Sequence, residues 1–385
     1  MMVLNRGHVL ATAAVLCALA GTPARAEDLN IGVLAPLSGP TAAYGADIMN
    51  GITLAADELN AKGGVDGRKV VVVPGDDHGS PKDAANVTQK FVSDDKIPVM
   101  IGGATSTTTF GAVPVAQKGG LPFLITLASH PDLTKEGNFI FRNSSTQEQE
   151  GPAMARLVHI CLAPKTVAIM SLNNDWAIEM TRQFKKALAP TGVKIVAEES
   201  YNPGENVDYA SKLAKVKAAN PDVIWFASQY DDLALVLKQA QRMDMGKTPL
   251  VGSAGDHTTG LIKVAGSAAD GLYLHTLFLE EASTPRVKAF IDAFRAKFNA
   301  APNLFSAQAY EGLQMAVAAA KKGNFTRTGT RDALAATKDF EGVTGNIGFD
   351  PQTREATGKK FIPIMVKDGK FAPWPDCETK LANTQ

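Results

Sequence analysis

Hydrophobic positions along this chain follow two periods in alternation. Short apolar runs at residues 29–34 (LNIGVL), 69–74 (KVVVVP), 98–101 and 122–126 read as buried strands. Between them, apolar residues recur every three to four positions. Over 46–61 the stripe is Ile48, Ile52, Ala55, Ala56 and Leu59, closed by Gly63 and Gly64. Residues 83–93 and 107–117 read as further helices. A second series follows from about Gln149: helix 151–162, strand 166–170, helix 178–188, strand 193–198, helix 209–219, strand 223–227, helix 232–243, and strands at 250–252 and 272–277. Helices at 285–298, 307–321 and 330–337 precede a tail, 347–371, of short strands and polar turns. Strand–helix alternation of this kind predicts parallel sheets covered by helices on both faces. The expected fold is therefore α/β, with two doubly wound, Rossmann-like lobes and a ligand cleft beyond the carboxyl ends of the facing sheets.

The first residues form a separate unit. Arg6, an apolar run over 9–20 and the small residues of Ala24-Arg25-Ala26 read as a signal peptide covering 1–26 and removed on export. The run is shorter than the roughly 20 residues that span a bilayer. Beyond it, Cys161 and Cys377 remain. An exported compartment permits a disulfide, but their spacing leaves open whether they meet.

Charge changes the picture by exclusion. The chain's 385 residues carry 39 basic and 39 acidic side chains, so no basic excess draws it to nucleic acid or anionic lipid. No G-x-G-x-x-G follows the first strand, which runs into Ala35-Pro36-Leu37-Ser38-Gly39-Pro40. Neither a phosphate-binding P-loop nor a G-x-S-x-G nucleophile elbow occurs, and the six histidines lack metal-ligand spacing. The expectation is a non-enzymatic protein without metal or cofactor.

Several stretches, in order, carry a resemblance. They are Ile31-Gly32-Val33-Leu34-Ala35-Pro36-Leu37-Ser38-Gly39-Pro40 with Tyr44-Gly45; Asn60-Ala61-Lys62-Gly63-Gly64-Val65; Asp76-Asp77 with Pro81-Lys82; Ile101-Gly102 with Ser106-Thr107-Thr108; Pro131-Asp132-Leu133-Thr134; and Leu237-Lys238-Gln239-Ala240. The sequence resembles the periplasmic binding proteins of ATP-driven importers for leucine, isoleucine and valine. That resemblance implies three crossovers between the lobes, with lobe 1 at 27–146 and 278–351 and lobe 2 at 147–277 and 352–385. It also implies a monomer in the periplasm that hands its ligand to an ABC permease of the inner membrane.

In that family a serine and the loop after the next strand hold the ligand's α-carboxylate. Ser106, Ala128 and Ser129 fall there. Ser106 also lies just before a helix, whose free N–H groups bind an anion without a lysine. Tyr44 and Tyr310 match aromatics that line the pocket in lobe 1, and Trp176 stands where the family carries a tyrosine in lobe 2. Gln229 and Tyr230 lie at the same rim, past strand 223–227. The family's ammonium-binding glutamate is replaced by Ala254. Either Asp256 substitutes for it, or the ligand carries no ammonium, because a buried ammonium without a counter-charge costs several kcal/mol. The expectation is a carboxylate with an apolar or aromatic body, with Asp256 and His257 on its distal polar group. The alternatives are an aliphatic amino acid, or a sensor component that presents ligand to a membrane receptor.

Overall fold

A computed structural model describes residues 27–202, 208–245, 247–280 and 284–384; the signal peptide expected at 1–26 lies outside them. The first half of the chain runs β1 (Leu29–Ala35), α1 (Ala42–Ala61), β2 (Val70–Asp76), α2 (Pro81–Ser93), β3 (Met100–Gly102), α3 (Ser106–Lys118), β4 (Phe123–Ile125) and β5 (Ile140–Arg142). These strands form a parallel sheet in the order β2-β1-β3-β4-β5. Ile31, Val33, Ile101 and Leu124 are fully buried, as continuous apolar runs in a covered sheet must be.

The chain then crosses into a second sheet through α4 (Gln147–Leu157). It continues through β6 (Thr166–Leu172), α5 (Asp175–Leu188), β7 (Lys194–Tyr201), α6 (Ala210–Ala218), β8 (Val223–Ala227), α7 (Tyr230–Arg242), β9 (Leu250–Val251), α8 (Thr259–Ala265) and β10 (Leu272–Thr276). It returns to the first lobe with α9 (Pro285–Phe298), α10 (Leu304–Lys322) and α11 (Arg327–Ala335), where α9 and α10 pack on α1. A small antiparallel sheet follows: β11 (Phe340–Glu341), β12 (Asn346–Phe349) and β13 (Ala356–Thr357). The last elements are β14 (Ile362–Lys367), β15 (Lys370–Pro373) and α12 (Pro375–Ala382). β14 and β15 extend the second sheet antiparallel, in the order β15-β14-β10-β9-β8-β6-β7.

The result is a two-lobed α/β fold crossed three times. The β12–β13 hairpin spans the boundary expected between residues 351 and 352. Glu355 pairs with the wholly buried Arg142 at 3.1 Å, which keeps this stretch on the first lobe, so the chain crosses after Thr357. The helix α12, absent from the sequence reading, is tied to the second lobe by a Cys161–Cys377 disulfide.

Candidate functional site

The carboxyl ends of both sheets face one cavity, with about 550 Å³ of empty space counting the part that opens to solvent. Glycine shapes the approach to it. Gly102 ends β3 at φ +120°, and a Cβ there would lie 2.0 Å from the Leu34 carbonyl oxygen. That close passage carries the chain directly into α3, with Ser106 at its first position and Thr105 as its N-cap.

Six of the residues expected from sequence line this cavity: Tyr44, Ser106, Ala128, Ser129, Trp176 and Gln229. Ser106 Oγ accepts the His130 N–H at 3.2 Å, which fixes the following loop against the start of α3. Ser129 Oγ accepts the Trp176 Nε1–H at 3.1 Å, a bond from lobe 2 to lobe 1. The Trp176 carbonyl in turn accepts from Gln147 Nε2. Tyr44 stacks on Phe305 with ring centroids 4.3 Å apart and 9° between planes, giving a flat apolar wall.

The other four expected residues lie outside the lining. Tyr230 closes the rim behind Tyr44: its N–H donates to the Tyr44 hydroxyl at 3.3 Å and its own hydroxyl donates to the Pro40 carbonyl at 3.0 Å. Asp256 is fully buried and turned back on its own short turn, accepting from Ser253 N–H (2.8 Å) and Ser253 Oγ (3.0 Å). Burial pushes its carboxyl up to about 8, so it is held neutral near pH 7. His257 bonds Thr276 at 2.7 Å and meets the edge of Phe371, on a separate cavity; burial pushes it down to about 3. Tyr310 donates to Glu58 at 2.6 Å and packs on Phe290. At 100° per residue, Tyr310 and the cavity-lining Gln308 point to opposite sides of α10.

The cavity also holds residues that the sequence reading passed over. Phe305, Leu304 and Gln308 come from the start of α10, and Leu127 and Leu277 from loops. Among the described residues Glu150, in the first turn of α4, is the only acid in the lining, and no lysine, arginine or histidine lines it. Its carboxylate accepts Ser145 Oγ at 2.6 Å and Ser129 Oγ at 3.4 Å. Burial raises this carboxyl to about 7, against the pull of Ser145, Arg142 and Ser129. The polar run Asn143-Ser144-Ser145-Thr146-Gln147-Glu148-Gln149-Glu150, where the chain crosses lobes, was its one sequence signal.

A second set of bonds joins the lobes away from the cavity. Asp47 on α1 accepts Thr258 Oγ1 at 2.7 Å and Thr259 Oγ1 at 3.3 Å from the start of α8, and Asn303 Nδ2 at 2.6 Å. The Asn303 bond lies within lobe 1 and holds Asp47 in place; the two threonine bonds exist only when the lobes are together, so they favour the closed form. Asp47→Ala should weaken ligand affinity about tenfold, the worth of roughly one or two hydrogen bonds, without touching the ligand. Calorimetric titration measures it; an unchanged Kd would exclude the latch.

A sequence profile of the family described as "Periplasmic binding protein" matches residues 28–370. The Leu/Ile/Val-binding protein BraC3 of Rhizobium johnstonii is 29% identical over 363 residues, covering 94% of this chain and 97% of its own. The branched-chain amino-acid transporter substrate-binding protein LivJ of Streptococcus pneumoniae, solved with isoleucine, is 32% identical with a TM-score of 0.84, covering 89% of this chain and 97% of that one. A solute-binding protein of an R. palustris ABC transporter, solved with benzoate, shares the fold at a TM-score of 0.82 and 24% identity, covering 90% of this chain and 95% of that one. Among the described residues no helix is long and apolar enough to cross a membrane. With nearly the whole two-lobed body matched, this chain belongs to the periplasmic binding protein family, among the branched-chain amino-acid type substrate-binding proteins of ABC transporters.

Proposed function

We propose that this protein, working as a periplasmic monomer, closes on a small carboxylate with an apolar body and presents it to an ABC permease. One observation carries the reading: the cavity pairs a helix N-terminus bearing Ser106 with an apolar wall of Tyr44, Phe305, Trp176, Leu127, Leu277 and Leu304. The helix end supplies unpaired N–H groups and a partial positive charge for the carboxylate. The wall takes the body, aliphatic or aromatic, and excludes water. The bonds between Trp176 and Ser129, and between Tyr230 and Tyr44, come from opposite lobes. A ligand that bridges the same surfaces therefore binds the closed form better and shifts the equilibrium toward it. A permease that docks both lobes reads that closed shape.

The test is a thermal-shift screen of protein unfolded and refolded to strip carried-over ligand. A ligand at 100 times its Kd adds about 2.7 kcal/mol and raises the melting temperature by several degrees. Ser106→Ala and Trp176→Ala should each weaken the best ligand about tenfold or more. If both variants bind as the parent does, the carboxylate site is elsewhere.

A further inference from the structure

Lobe 2 faces the cavity with Ala254 and Gly255, which bring no charge, while Asp256 is spent on the Ser253 cap. Yet the cavity is not without a negative group. We infer that Glu150 binds an ammonium on the ligand, so that this site, read as above as a carboxylate site, takes apolar α-amino acids rather than amine-free acids.

The geometry carries this. Glu150 lines the cavity at 6% exposure and has hydroxyl partners but no ion-pair partner among the described residues. A buried carboxylate facing a cavity without a cation is an unbalanced charge, and an incoming ammonium balances it. An ammonium has three donors and needs several acceptors. A second acceptor is in place: Gln308, 1% exposed and in the same lining, leaves its Oε1 without a partner. Ser129 joins the two ends of the site. Its hydroxyl touches Glu150, and its neighbour His130 is bonded to Ser106 at the start of α3. An α-amino acid, with both charges on one carbon, matches acceptors and helix end placed side by side.

The two ligand classes differ in how they respond to pH. The groups facing Glu150 are Ser145, Ser129 and, through space, Arg142, whose guanidinium is already paired with Glu355. The empty carboxyl titrates near 7. An ammonium binds only its ionised form, so amino-acid affinity is full above pH 7 and falls, by up to tenfold per unit, as pH drops below it. An amine-free carboxylate needs Glu150 protonated, so its affinity falls as pH rises through 7.

The experiment titrates the refolded mature protein and Glu150→Gln with leucine, valine and phenylalanine, and with their deaminated analogues, from pH 5 to 8. Glu150→Gln keeps shape and hydrogen bonding but removes the charge. The expected result is that the parent prefers an amino acid with the pH slope above, and that the variant loses at least about a hundredfold of that affinity while binding the deaminated analogue, at every pH, about as well as the parent does at pH 5. An amino-acid affinity changed less than threefold in Glu150→Gln, or a preference for the amine-free acid, overturns the inference and leaves the carboxylate site standing. If no carboxylate of either class binds the parent, the carboxylate reading itself fails.

Discussion

Lys359→Ala should cost about 3–5 kcal/mol of stability, because it strands a buried charge held between the first and third lobe crossings. Lys359 Nζ lies 2.7 Å from Glu311 Oε1, at 2% and 0% side-chain exposure. Burial pulls the Lys359 ammonium down, and Glu311 holds it up. The same carboxylate also accepts Thr344 N–H at 3.0 Å, Thr344 Oγ1 at 2.6 Å and Asn143 Nδ2 at 3.4 Å. Asn143 sits on the first crossing and Lys359 on the third, while Glu311 projects from α10 in lobe 1. The pair therefore ties the first and third crossings to each other and to lobe 1. Chemical denaturation of Lys359→Ala and of the double variant with Glu311→Gln measures the effect. The double should recover much of the single's loss, since it removes the stranded charge. A loss under about 1 kcal/mol in the single would mean that water relieves the site, and the two crossings would owe their position to packing alone.

The sheets were legible because strands buried on both faces are written as uninterrupted apolar runs, such as residues 29–34 and 223–227. Helix bodies were legible for a similar reason: their stripes report burial against a sheet. Several helix starts at the cleft were not, although the helix expected at 285–298 begins where α9 does. Periodicity begins helices at residues 46, 151, 178 and 307, whereas they begin at Ala42, Gln147, Asp175 and Leu304. Each missed first turn faces the cleft, and each carries a cavity residue: Tyr44, Glu150, Trp176 and Phe305. There the side chains answer to a ligand and to the opposite lobe, not to a core, so the apolar stripe breaks where the site begins. Resemblance recovered Tyr44 and Trp176. Glu150 escaped because an acid in a helix's first turn ordinarily needs no explanation beyond the helix dipole. Its depth in a closed cavity, a property of the folded crossing, is what separates it from Glu148 beside it.

Removing the Cys161–Cys377 disulfide should cost about 2–5 kcal/mol, since it closes a separation of 216 residues. The sequence left this pairing open because the two cysteines come together only through the third crossing. Cys161 lies in the helical stretch Val158–Leu162 that follows α4, and Cys377 lies in α12 after β15 has joined the second sheet. Two further bonds hold α12 there: Arg156 Nη2 to the Leu381 carbonyl at 2.7 Å and Lys380 Nζ to the Cys161 carbonyl at 3.0 Å. With those bonds intact, Cys161→Ala/Cys377→Ala should still fold, melt at a lower temperature and bind ligand with the same Kd, because the disulfide lies on the far end of α4 from Glu150. Oxidised and reduced parent protein, compared by thermal melting, give the same difference without a change of sequence. Equal melting temperatures would show that α12 is held by its packing and backbone bonds. A weakened Kd in the variant would show instead that the tail's anchorage governs the start of α4, and with it the placement of Glu150 in the cavity.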